Sequence, residues 1–450
     1  MPNEKQQTIE FVISEIIRIS RIDPKERLRN ASLGEAMALL PHPSGKYQIS
    51  CGIDAFRRLQ NASDMAVAQS EFAGRMDSKL VFDAMKGIVT SRFLKEQREI
   101  NQSKCDKAFS TAIKIAKKSL ADTVFWIPVH LGRVQNPSMF EIGPIKFEPM
   151  EDFLQGIEGE LEEYIDKNDS RAEVRRNLRQ TTESYYRKFG WSARVEIIGC
   201  SPSIAKNAAY RRVQHAIDCI HLFLGAKYSD HMRMGGPNFF VDRRSQISKG
   251  GNGEVSISSS VDWKTNQLPD DWWEVVCADG YEQMVDLFGQ AIEHGTDVAN
   301  PAPLSQRILD ALMWFGEAVR DEFQAARIVK YVTSIERLLV TEEKEEELVE
   351  MLSRRGASIL CTHEGYDFDE SVQRLKKVYS LRSELVHGSR SPVDPKMAEG
   401  EREAEILARH ILFGFTGFTG DQGLRETDLP KKQLSENFRK LEKLVKGESG

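Results

Sequence analysis

Two residues near the C-terminal end of the chain, Arg382 and His387, are of types that act on phosphate esters. They form an R-x4-H pattern. A guanidinium is a permanent cation that can hold a phosphate group, whereas an imidazole gains and loses protons near neutral pH. The pattern therefore offers one group to hold a phosphate and one to move protons. We take Arg382 and His387 as candidate catalytic residues.

The segment that carries Arg382 has the pattern of an amphipathic helix over residues 368–386. At about 100° per residue, four apolar residues fall within about 60° of Arg382 around the helix axis. They are Leu375, Val378, Leu385 and Val386. A guanidinium in a buried stripe costs several kcal/mol unless it is paired. The pattern therefore predicts an acidic partner or a ligand anion for Arg382.

The residues after this helix predict how it ends. Gly388 suits the left-handed position that follows many helices, and Ser391-Pro392 stops further helix. His387 is then expected in the last turn, where its ring is mobile and where the helix dipole favours the protonated form.

Glu336 is the leading candidate to pair with Arg382. It lies in the run Ser334-Ile335-Glu336-Arg337-Leu338-Leu339, among apolar residues on one face of a predicted helix over 325–340. A carboxylate on such a face also needs a partner. A purely structural ion pair and a direct chemical role both remain open for Glu336.

The sequence pattern from Tyr379 to Gly388, Tyr-x-x-Arg-Ser-x-x-Val-His-Gly, resembles that of the ApeA-like branch of the HEPN ribonucleases. The resemblance covers residues 301–416, where helices predicted over 304–323, 325–340, 348–360, 368–386 and 397–413 would form an antiparallel bundle. It implies Arg382 and His387 as catalytic residues, with Ser383, Glu336 and Tyr379 in support. Many HEPN members carry Asn, Asp or His directly after the arginine, whereas this chain has Ser383, which cannot act as an acid or base near neutral pH.

The resemblance also implies a reaction that needs no metal and no cofactor. His387 would act as general base or acid for attack of an RNA 2′-OH on the adjacent phosphate, and Arg382 would neutralise the charge that develops. The products would be a 2′,3′-cyclic phosphate and a 5′-OH. Two protomers commonly build such a site together, so a homodimer or a higher homo-oligomer is expected.

ApeA-like proteins are associated with abortive defence against phage. The implied partners are an RNA substrate, with tRNA as one candidate, and a phage-derived activator that residues 1–270 would sense. The alternative is a catalytically silent HEPN module for dimerisation or interaction, in which Arg382 and Glu336 have only a structural role.

Composition sets outer bounds on these hypotheses. The 450 residues suffice for two or three domains, and 29% charged with 40% hydrophobic residues is ordinary for a water-soluble protein. Apolar runs are too short for a membrane span, and the charges in the first 21 residues argue against a signal peptide. The six cysteines are scattered without metal-ligand spacing, so free thiols in the cytoplasm are expected and no metal site is predicted. There is no phosphate-binding glycine loop.

The predicted class is α+β, mostly α, with a mixed helical and β N-terminal part before the C-terminal helical bundle. We expect a helical region over 1–121, an α+β region over 122–270, the HEPN domain over 271–416 and a tail over 417–450. The segment 414–420, with its repeated glycines, is expected to be a turn-rich exit from the bundle. Leu434, Phe438 and Leu441 predict a tail helix that docks on its own fold or on a second protomer.

A net charge of −6 means that RNA binding would need a local basic surface. Two stretches could supply one, and a solvated helix face is the competing interpretation. The first stretch contains Arg171, Arg175, Arg176, Arg179, Arg187 and Lys188, with Tyr185 and Tyr186 among them, and the second contains His231, Arg233, Arg243, Arg244 and Lys249. His215, Cys219 and His221 share a helix, but their spacing suits packing better than metal binding.

Overall fold

The structure, a computed structural model, describes residues 4–22, 37–163, 172–235, 242–249, 255–262, 267–278, 281–341, 347–395, 397–427 and 431–447. The chain divides into two compact units. The first comprises Met1–Thr123 and Ile197–Ala208, and the second comprises Val124–Glu196 and Ala209–Gly450.

The described residues are mostly helical, with small antiparallel sheets, which confirms the predicted α+β, mostly α class. The helices are α1 (Glu4–Ser20), α2 (Ile53–Ala68), α3 (Ser78–Ile88), α4 (Gln102–Ala116), α5 (Met150–Glu163), α6 (Ala172–Tyr186), α7 (Pro202–Leu224), α8 (Ala226–Ser229), α9 (Trp272–Cys277), α10 (Tyr281–Gly295), α11 (Pro303–Val319), α12 (Gln324–Leu339), α13 (Leu348–Glu364), α14 (Phe368–Val386), α15 (Met397–Arg425) and α16 (Lys431–Val445). The strands are β1 (Met37–Pro41), β2 (Gln48–Gly52), β3 (Ala121–His130), β4 (Phe140–Ile142), β5 (Ile145–Pro149), β6 (Trp191–Cys200), β7 (Arg233–Met234), β8 (Asp242–Lys249) and β9 (Val255–Asp262). Among the described residues, no helix combines the length and the apolarity that a membrane crossing requires.

The described part of the first unit is mostly helical and contains one hairpin. Asp77 and Asn101 cap α3 and α4 by accepting hydrogen bonds from backbone N–H groups of the first turn. The hairpin pairs β1 with β2 antiparallel, and Gly45 takes a left-handed conformation in its turn. The sequence predicted only helices here. Each strand has five residues and buries one of them, Leu40 or Cys51, so no alternating pattern identifies either strand.

The largest sheet has the strand order β4-β5-β6-β3-β7. Residues 140–147 lie at one end of this strand order. They form the antiparallel hairpin β4–β5, with Ile142 opposite Ile145. Gly143 has a φ of +53°, and a Cβ atom there would lie 2.5 Å from the carbonyl oxygen of Gly289 on α10. Only glycine at both positions lets the hairpin and the helix approach so closely.

Helices α11 to α15 form an antiparallel bundle joined by short connections. Arg307, near the start of α11, donates to backbone carbonyls of Arg337 and Val340 at the end of α12. Arg374 on α14 pairs with Glu403 on α15. Phe315 and Tyr331 are wholly buried at the centre, with ring centres 5.1 Å apart. The helix predicted over 368–386 matches α14 at both ends.

The glycine-rich segment 414–420 is not the turn-rich exit that the sequence predicted. It continues α15, and the helical conformation breaks only at Gly420, whose φ is +64°. A Cβ atom at Gly414 would lie 2.5 Å from the Ile359 side chain on α13. The glycine therefore allows two helices to pack closely rather than ending one of them.

The tail helix α16 packs on the same chain, which confirms one of the two expected docking modes. Leu434, Phe438 and Leu441 are buried. The Phe438 ring lies 6.1 Å from that of Phe415 on α15, and the guanidinium of Arg355 lies 4.8 Å from its centre.

Candidate functional site

The motif helix α14 has defined signals at both ends. The Asp367 side chain accepts a hydrogen bond from the Glu370 N–H at 2.9 Å, which caps the first turn. At the other end, Gly388 has a φ of +74°, and the Ser389 N–H donates to the Glu384 carbonyl at 2.9 Å. This is the Schellman arrangement, in which a left-handed glycine ends the helix. The expected helix end is therefore confirmed.

Arg382 pairs with Glu336, the acidic partner that was predicted from the sequence. Its Nη2 atom lies 3.4 Å from Oε2 of Glu336, and the two side chains are 24% and 18% exposed. Tyr379 also interacts with this carboxylate, and its ring centre lies 5.8 Å from the guanidinium. Burial raises the pKa of Glu336 above its ordinary value, although Arg382 and Tyr379 oppose the shift. The acid thus joins two side chains of the motif helix.

The apolar stripe around Arg382 is buried on only one side of it. Leu375 and Val378 are buried, whereas Val386 is 52% exposed. Arg382 Nε is buried and makes no hydrogen bond among the described residues. The guanidinium is therefore anchored by one nitrogen and retains donor capacity at its partly exposed end.

His387 lies at the surface, where α14 ends. Its backbone N–H donates to the Ser383 carbonyl at 2.9 Å, and its side chain is exposed. Within the described ranges, its imidazole has no hydrogen-bond or ion-pair partner. Five residues of ideal helix place His387 about 140° around the axis and about 7.5 Å along it from Arg382. The two groups of one chain therefore do not share a helix face.

The other charges around the motif are paired. Arg390 bridges Glu384 at 3.0 Å and Asp394 at 3.2 Å. Lys377 lies 3.4 Å from Glu399. The surface next to the motif helix therefore contributes little uncompensated positive charge.

The first basic stretch lies on α6 and the turn after it, with Arg171 outside the described residues. No described side chain of α6 is buried, and Arg179 pairs with Glu183 along the helix, so α6 has a largely solvated surface on which one arginine is neutralised. Tyr186 donates to the Trp126 carbonyl at 2.6 Å, and Tyr185 packs against Phe189. The two tyrosines therefore anchor the helix and are not free to stack on bases.

The second basic stretch does not form one exposed patch. His231 is buried, and Arg233 donates to the backbone carbonyls of Asp230 and His231. Arg243, Arg244 and Lys249 belong to β8, whose side chains lie outside the described residues.

Sequence reasoning missed a buried polar cluster on α7. Asp218 is wholly buried and accepts from Arg320 Nη1 at 2.6 Å and from Gln214 at 3.0 Å. Burial raises the Asp218 pKa to about 6, despite the nearby guanidinium. Burial lowers the pKa of His215 to about 4, helped by Arg211. The available signal was an aspartate inside the apolar run Ala216-Ile217-Asp218-Cys219-Ile220.

His215, Cys219 and His221 are all buried, which confirms the packed-helix interpretation of their spacing. His221 Nδ1 lies 3.0 Å from the hydroxyl of Ser229 on α8. A Cβ atom at Gly316 on α11 would lie 2.1 Å from Asp218 Oδ1, so this glycine makes room for the buried carboxylate.

Comparison with protein-family models, with curated proteins and with solved structures gives no match.

Proposed function

We propose that the chain is a metal-independent RNA endonuclease of the HEPN type, with Arg382 and His387 as catalytic residues. One observation supports this most strongly. Arg382 is oriented by Glu336 and Tyr379 on one side of α14, while the His387 imidazole, which has no partner among the described residues, projects from the end of the same helix. A fixed cation and a mobile proton carrier are the two groups that the reaction needs.

In the proposed reaction the RNA 2′-oxygen attacks the adjacent phosphorus and the bond to the 5′-oxygen breaks. His387 takes the proton from the 2′-OH, and an imidazolium returns a proton to the departing 5′-oxygen. Arg382 neutralises the charge on the non-bridging oxygens. Glu336, Tyr379 and Ser383 act as supporting residues, because they hold Arg382 or the helix end and have no proposed contact with RNA.

The proposal includes a composite site in a homodimer or a higher homo-oligomer. Within one chain, Arg382 and His387 project from different sides of the helix. Two copies of α14 facing each other would let the arginine of one chain and the histidine of its partner act on one phosphate. A cytoplasmic role in abortive defence against phage, with a phage-derived activator sensed through residues 1–270, belongs to the same proposal.

Purified protein should cleave tRNA or total RNA in the presence of EDTA. A chimeric strand with a single 2′-deoxy residue at the cleaved position should resist, because it lacks the nucleophile. His387→Ala and Arg382→Ala should each abolish cleavage, and Val386→Ala, an exposed neighbour in the same turn, should retain it. Cleavage that persists in both motif variants would refute the assignment.

If the purified wild-type protein is inactive, wild type and the same variants are tested in cells, where an activator is available. Phage plating and growth arrest should depend on Arg382 and His387 but not on Val386. Equal protection by wild type and both motif variants would support the second candidate function, a catalytically silent HEPN module for interaction. The paired charges around α14 favour that candidate, because they leave little basic surface for RNA.

A further inference from the structure

A cleft of about 520 Å³ lies beside the sheet of the second unit, away from the motif residues in sequence. Its walls are formed by residues 130–137 after β3 and residues 187–191 before β6, with Gln267 closing one end. This volume is in the range of small-molecule sites.

The lining of the cleft is rich in basic side chains. His130, Arg133, Arg187 and Lys188 line it, and none of the described lining residues is Asp or Glu. Arg133 and Lys188 are exposed, and within the described part of the chain neither side chain has an ion-pair partner. Arg187 lies 3.0 Å from Glu151, but both side chains are largely exposed, so an anion can displace this weak pair at little cost.

Both walls are held in place by their own hydrogen bonds. The Asp270 carboxylate accepts from the backbone N–H groups of Gln135 and Asn136 at 2.9 and 3.0 Å. In the second wall, the Gly190 carbonyl accepts from the Met150 N–H at 3.0 Å. Because the backbone is already fixed, a ligand would have to order only the cationic side chains.

The floor and rim of the cleft differ in chemistry. Leu131, Phe189 and Trp191 are buried and form an apolar floor. Gln135 and Gln267 are exposed at the rim, where their amides can both donate and accept hydrogen bonds. These features suit a nucleotide. The cations can bind its phosphate groups, the amides can bind the polar edges of its base or sugar, and the floor offers an apolar contact.

We propose that this cleft binds a nucleoside phosphate, with Arg133, Arg187 and Lys188 contacting the phosphate groups. Guanidinium groups suit phosphate because they donate two parallel hydrogen bonds. The binding is separate from RNA cleavage and does not depend on Arg382 or His387.

The test is calorimetric titration of the full-length protein with ATP, GTP, CTP and UTP in turn. At least one should bind and raise the thermal unfolding midpoint. The double variant Arg133→Glu/Lys188→Glu should weaken binding at least about tenfold, equivalent to about 1.4 kcal/mol. Arg176→Glu, a single charge reversal on exposed α6 outside the lining, should bind as wild type does.

A steric variant checks the location without changing charge. A Cβ atom at Gly190 meets no atom within 4 Å, so Gly190→Leu should fold normally and fill part of the cleft. It should weaken binding of the same nucleotide. Absence of binding by all four nucleotides, or equal binding by the double variant, overturns the proposal. The proposal is also overturned if the protein binds a single-stranded RNA oligonucleotide but none of the nucleotides, and if Arg176→Glu and the double variant weaken that RNA binding equally. This result would indicate an RNA-binding surface.

Discussion

The carboxylate of Glu336 lies 3.4 Å from the guanidinium of Arg382 and also interacts with Tyr379. One acid on α12 therefore fixes two side chains of the motif helix. The pair is mostly buried, so each partner depends on the other.

Arg382→Ala should lower the free energy of unfolding by about 1–3 kcal/mol, because it leaves the Glu336 carboxylate covered and unpaired. Adding Glu336→Ala should recover part of this loss in a double-mutant cycle followed by thermal unfolding. Lys377→Ala removes an exposed pair with Glu399 and should cost under about 0.5 kcal/mol. Equal costs for Arg382→Ala and Lys377→Ala would contradict the pairing described here.

His387→Ala should reduce RNA cleavage without reducing the stability of the fold. The side chain is exposed and has no described partner, so the thermal unfolding midpoint should change little. RNA cleavage should fall by about a hundredfold or more if His387 transfers protons. A variant that unfolds earlier and still cleaves would assign His387 a structural role instead.

His215 should make stability depend on pH. Its folded pKa is lowered from 6.5 to about 4, so the unfolded chain takes up this proton first as the pH falls. The free energy of unfolding should therefore decrease between about pH 6.5 and pH 4, by roughly 3 kcal/mol from this residue. Asp218 acts in the opposite direction, because its raised pKa gives stability at low pH that is lost as the pH rises through about 6.

His215→Gln removes the histidine term, so lowering the pH from 6.5 to 4 should cost the variant less stability than it costs wild type. The measurement is the thermal unfolding midpoint at intervals between pH 4 and pH 7. An unchanged slope in His215→Gln would show that the imidazole is not held neutral by burial.

Gly316→Ala should destabilise the fold by roughly 2–4 kcal/mol, because the new methyl group would overlap the wholly buried Asp218 carboxylate. Gly156→Ala is the matched control on α5, where a Cβ atom meets no atom within 4 Å. It should stabilise by up to about 1 kcal/mol through helix propensity. Calorimetric unfolding of both variants checks the contrast, and a neutral Gly316→Ala would mean that Asp218 can move.

Local signals predicted the motif helix well. Its apolar period and the glycine at position 388 both act within a few residues, and the predicted range 368–386 matches α14 at both ends. The Arg382–Glu336 pair was also accessible, because two opposite charges on apolar helix faces need partners.

Long-range features were not accessible in the same way. Asp218 and Arg320 meet across helices that are distant in sequence, and no local rule selects that arginine. The glycines of 414–420 were misread because glycine both ends helices and lets them pack closely. The choice between these roles depends on Ile359, which lies on another helix.

The contact between Gly143 and Gly289 has a consequence for the variation that the chain tolerates. Each position already carries the smallest residue, so no substitution at one can compensate for a side chain at the other. In a saturation-mutagenesis screen, both positions should tolerate no other residue, although neither has a side chain that could take part in chemistry. A double library at 143 and 289 should recover almost no functional pair other than glycine with glycine.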